Sequence, residues 1–228
     1  MKTSFKLLLH LYKSSFPFFI FSFLFPLVPV VFLSQINLMM ENVPPTLFSS
    51  LILLSIFLLS IMENSSQVLS LPNPSLAFLY LHGVSIEKLF IAKTILSSIL
   101  FLGRIFLFLF ISSLYSLIPL ENFFFLFSSL VVSLLIFSFS HLVNRFNSNA
   151  LSSYLITLSV LYVLFEVPYI IFGEDIPFAT FSLTRFYSTL LFSSPDLYSL
   201  SLFSIWAIIL FVLVYLSYRF YTPRLHSS

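Results

Sequence analysis

Six apolar stretches follow one another along the chain with only short polar joints between them, over 16–33, 46–62, 89–118, 122–143, 151–172 and 198–220. A membrane hydrocarbon core of about 30 Å takes about 20 helical residues, and each stretch meets or approaches that length. The composition fits the same reading. With 59% hydrophobic and 8% charged residues and a mean hydropathy of +1.09, no soluble fold of this size could keep its apolar side chains off the surface. The expected fold class is an all-α integral membrane protein, as one transmembrane domain over residues 1–228.

Residues 2–15 differ from the rest. Phe5, Leu8, Leu9 and Tyr12 recur at helical spacing while Lys2, Lys6 and Lys13 stay polar, which predicts an amphipathic helix lying in the membrane interface, an elbow before the first span. A charged flank that only orients the first span is the plainer reading. The first apolar block runs on to Leu33 with no small-residue cleavage signature, so it is expected to stay as a span. Pro17, Pro26 and Pro29 remove backbone donors there and predict a bent helix.

Charge distribution sets the expected orientation. If both termini are cytoplasmic, that side holds Lys2, Lys6, Lys13, Lys88, Lys93, Arg145, Arg219 and Arg224, and the other side only Arg185. Glu41, Glu121, Glu174, Asp175 and Asp196 fall on the outer side. Six spans with the N- and C-termini cytoplasmic follow, joined by a long cytoplasmic loop over 63–88 and an external helical hairpin over 173–197.

Charges within spans are costly and often functional. Arg104 and Glu166 each lie about 15 residues into a span that starts on the cytoplasmic side, so at about 1.5 Å per residue they share a depth and can form an intramembrane pair. Such a pair ties two helices together or lines a translocation path; the third reading is that the two residues do not meet. Lys93, one turn inside its span, is expected to snorkel to the headgroups.

Other chemistries lack their residues. The chain has no cysteine, and its four histidines, His10, His82, His141 and His226, show no metal-ligand spacing. No Gly-rich phosphate loop is present, so nucleotide hydrolysis is not expected on this chain. The serines within spans lack a Gly-x-Ser turn and read as helix-packing hydroxyls, and the 32 phenylalanines as lipid-compatible filler. An enzyme acting on lipid-linked substrates needs acids and histidines converging on one face. Here most of the acids fall on the outer side and the histidines on the cytoplasmic side.

The loop after the second span carries the most specific pattern. A Pro-Asn-Pro break at 72–74 precedes an apolar run from Leu76 to Leu81, then His82-Gly83, then Ser85 placed to cap a helix that Glu87 and Lys88 enter. The run from Leu76 to Lys93 resembles the loop of type-2 ABC transporter permeases, in which a leucine-rich short helix and a small break lead into a helix opening with a lysine such as Lys93. The interfacial basic helix, six spans and external hairpin are similar to that family too, and the size and loop pattern look like the small haem-exporter-type permease of cytochrome c maturation. The resemblance implies a coupling helix that docks on a separate ATP-binding subunit through Leu76, Phe78, Leu79, Tyr80, His82 and Glu87. It also implies pairing with a second permease copy or a homologous membrane chain in a bacterial inner membrane, with lipid as the surroundings and no nucleic acid. The chain would then be the permease subunit of an ATP-driven exporter, without catalytic residues, metal or cofactor of its own. An accessory or assembly subunit with no transport path is the alternative.

Overall fold

The computed structural model describes residues 45–64, 74–114, 123–147, 149–175, 179–192 and 197–220, and eight positions between 20 and 35. The interfacial helix expected at 2–15 lies outside the described residues. Of the first expected span, Ile20, Leu24, Leu27, Val28, Val31 and Phe32 are helical. All regular structure among the described residues is helical: α1 (Pro45–Asn64), α2 (Pro74–Leu81), α3 (Ile86–Leu114), α4 (Phe123–Phe146), α5 (Ala150–Leu158), α6 (Glu166–Phe172), α7 (Leu183–Phe192) and α8 (Leu197–Arg219). Four stretches among the described residues, 86–110, 127–146, 150–175 and 197–219, are long and apolar enough to cross a membrane.

The central helix is α4, which packs against α1, α3, α5 and α8. Its serines explain the fit. Ser128, Ser129, Ser133, Ser138 and Ser140 are all buried, and small hydroxyl side chains let neighbouring helix backbones approach where larger ones would hold them apart. Ser133 Oγ donates to Ser98 Oγ on α3 at 3.1 Å, and Ser129 Oγ accepts from Tyr187 Oη on α7 at 3.2 Å.

The fifth expected span is one apolar run but not one helix. After α5 the chain widens into a π turn over Ser159–Val163, closed by Leu164 N–H to Ser159 O at 3.2 Å, and restarts as α6 at Glu166. Pro168 supplies the reason: it has no N–H to give to the carbonyl of Leu164, and its ring would clash there, whereas in the first turn of a new helix it is tolerated.

The stretch expected as an external hairpin holds two 3-10 turns, Gly173–Asp175 and Ala179–Phe181, followed by α7. This helix turns Leu183, Phe186, Tyr187 and Leu190 into the bundle, an i, i+3, i+4, i+7 stripe. They pack in one core with Ile56 and Phe57 of α1, Phe125 and Leu135 of α4, and Phe203 and Ala207 of α8. A second core at the α2 end joins Ile86, Leu89 and Phe90 of α3 to Phe137 of α4 and Val214 and Tyr218 of α8.

Candidate functional site

The helix expected at 76–81 forms as α2, and its ending follows from the residues. Val84 N–H bonds to Leu79 O and Gly83 N–H to Tyr80 O, both at 3.0 Å. With Gly83 at φ +76°, these two bonds make the Schellman ending that glycine favours because it has no Cβ to strain. Ser85 then opens α3 by accepting from Lys88 N–H at 3.3 Å, so four residues, 82–85, join two capped helices.

The side chains of this unit divide into two sets. Phe78 is 59% exposed, and Tyr80, Leu81 and His82 are exposed beside it. The Phe78 and His82 rings lie 3.9 Å apart between centroids, and His82 Nδ1 is 2.8 Å from Phe78 O. Leu79 instead packs half-buried on the second core. Glu87 accepts from Tyr215 Oη on α8, so this residue of the expected docking set anchors the unit to the bundle. Leu76 lies within α2.

Arg104 pairs with Glu63 rather than with Glu166. Arg104 Nη2 donates to Glu63 Oε2 at 2.8 Å, with Glu63 7% and Arg104 2% exposed. Arg104 Nη1 also donates to Ser60 Oγ at 3.4 Å. Long side chains on a helix lean toward its N-terminus, so Arg104 reaches back along α3 to the end of α1. Glu63 and Asn64, expected to open the polar loop, are the last residues of α1 and are buried.

Glu166 has a different task. It is 1% exposed, and its carboxylate accepts from Leu183 N–H at 2.5 Å, Thr184 N–H at 2.9 Å and Ser182 Oγ at 2.9 Å. The two amides are donors that a helix start leaves without intrahelical partners. The carboxylate thus caps α7 from the neighbouring helix, at the end where the helix dipole favours negative charge.

A polar node surrounds the α1 terminus. Asn64 Oδ1 accepts from Ser97 Oγ at 3.0 Å, and its main-chain carbonyl accepts from Asn144 Nδ2 at 2.7 Å. Lys93, Ser97 and Arg104 share one face of α3 at i, i+4 and i+11, while His141 and Asn144 sit one turn apart on α4. Lys93 is not at the surface as expected but 2% exposed. His141 Nδ1 lies 3.4 Å from Tyr218 Oη, among the rings of Phe90 and Phe137.

The sequence signal for this node was the alignment of Lys93, Ser97 and Arg104 on one helix face. Its partners on α1 and α4 were not legible, because depth counted along separate spans does not say which helices touch. Among the described residues no group of three or more His, Asp or Glu is placed to hold a metal ion. No family model, no curated protein and no solved structure matches this chain.

Proposed function

We propose that the chain is the transmembrane permease subunit of an ATP-driven exporter, driven by nucleotide hydrolysis on a separate subunit. The observation that supports this most is α2: a short apolar helix with Phe78, Tyr80 and Leu81 exposed, stopped at Gly83 and tied back to the bundle through Leu79 and the Glu87 to Tyr215 bond. A short helix with an exposed apolar face suits docking into a groove. The packing of Leu79 on the second core, and the Glu87 bond that holds the start of α3 to α8, suit passing a push into the spans. Six spans with cytoplasmic termini, and a second permease copy or homologous membrane chain as partner, belong to the same reading, as does a bacterial inner membrane as location.

Tyr80→Glu is the informative substitution, because Leu79→Glu would also disturb packing on the bundle. In this reading, protein purified in mild detergent from its native source carries a stoichiometric ATPase, and Tyr80→Glu loses that ATPase while inserting normally. A native preparation without any ATPase would move the reading to an accessory subunit. ATPase bound equally by Tyr80→Glu would remove α2 as the docking element.

A further inference from the structure

We propose that the ends of α4 and α8 form a binding site for anionic phospholipid headgroups, held by Arg145 and Arg219. Both helices close on the same pair, an arginine followed by a phenylalanine. In each pair the guanidinium lies over the ring, 6.0 Å from the Phe146 centroid and 5.9 Å from the Phe220 centroid. The two ends adjoin, because α4 and α8 pack along one another. His141 Nδ1, one turn before Arg145, is 3.4 Å from the hydroxyl of Tyr218, which precedes Arg219.

Exposure separates these pairs from ordinary charged helix ends. Phe146 is 79% and Phe220 73% exposed, and both arginines are exposed with them. A phenylalanine ring standing in water forgoes the gain of burial. At a membrane boundary the ring enters the acyl region while the arginine keeps its head among the headgroups. Both helices are long and apolar enough to cross a membrane, which would put their ends at such a boundary.

The acids at this end are already engaged. Glu63 is buried against Arg104, and Glu87 accepts from Tyr215, one turn before Arg219. Neither Arg145 nor Arg219 has an ion pair among the described residues, and Lys88, beside Glu87, is a further exposed cation. The exposed acids Glu174 and Asp175 lie at the opposite end, where Arg185 joins Glu174 to Ser199 at the start of α8. A guanidinium fork matches two phosphate oxygens. A zwitterionic headgroup sets its own ammonium beside its phosphate, so a net negative headgroup is the better partner. Free phosphate would leave both rings in water. The site stands whether or not α2 docks an ATPase.

Lipid competition on the purified full chain tests this. The chain in mild detergent is mixed with equal amounts of phosphatidylglycerol and phosphatidylcholine of the same acyl chains, repurified, and its retained lipids are quantified by mass spectrometry. Wild type is expected to retain phosphatidylglycerol in at least about fivefold excess, the factor that one cation near a membrane surface supplies. Arg145→Gln/Arg219→Gln should fall close to the supplied ratio, and Arg185→Gln, at the opposite end, should match wild type. Salt at about 1 M, which screens exposed charges within a few ångströms, should abolish the excess in wild type itself, so the test survives poor folding of the double variant. Inorganic phosphate at the concentration of the lipid should leave it unchanged. No excess in wild type, an excess undiminished by salt or by the folded double variant, or its loss to inorganic phosphate overturns the proposal.

Discussion

Asn144 donates its side-chain amide to the main-chain carbonyl of Asn64 at 2.7 Å across 80 residues of sequence. The last carbonyls of a helix have no intrahelical donor, and water cannot serve Asn64, which is 1% exposed. The central helix therefore caps α1.

Asn144→Leu keeps the volume but leaves that carbonyl unsatisfied, at a cost of about 1–3 kcal/mol. The expected result is a thermal midpoint in detergent lower by roughly 2–4 °C per kcal/mol for a chain of this size. An unchanged midpoint would mean the bond adds nothing to stability.

Glu63→Gln and Arg104→Met each strand one buried partner, a loss of about 3–5 kcal/mol when a buried pair is broken on one side. The double variant is expected to be less destabilised than the sum of the two, a coupling that a double-mutant cycle measures. Glu166→Gln serves as the contrast. It should leave that coupling intact, because Glu166 is committed to α7.

Removing the α7 cap has its own readout. Glu166→Ala withdraws the acceptor for Leu183 N–H, Thr184 N–H and Ser182 Oγ, a loss of about 0.5–2 kcal/mol by comparison with other helix caps. Amide hydrogen exchange across α7 should quicken, with that of α3 unaffected.

Gly83→Ala tests the turn between α2 and α3. A Cβ at Gly83 would meet nothing within 4 Å, so the cost is backbone strain alone, about 1–2 kcal/mol for a left-handed residue. Asn, which tolerates that region better than Ala, should recover part of it. Exchange of the Val84 amide reports on both, and equal protection in Gly83→Ala would contradict the Schellman ending.

The spans show where sequence and structure part. The apolar blocks at 89–118, 122–143 and 198–220 reappear as α3, α4 and α8, because span length and hydrophobicity are properties of a single segment. The helix at 76–81 and its Ser85-capped successor were legible for a similar reason: breaks, caps and glycine endings are decided by neighbours a few residues apart. The Pro168 interruption was equally local, yet an unbroken apolar run concealed it.

What the sequence by itself determined is the helical, membrane-type composition, the position of most helices and the exposed unit after α1. Only the tertiary structure decided that Arg104 meets Glu63, that Glu166 caps α7, and that Lys93 is enclosed within the bundle. The physical reason is that partner choice for a buried charge depends on which helices adjoin and on the direction its side chain leans. Arg104 and Glu166 sit at matching counts along their spans, yet Arg104 extends back to the α1 terminus and Glu166 turns to the open amides of α7.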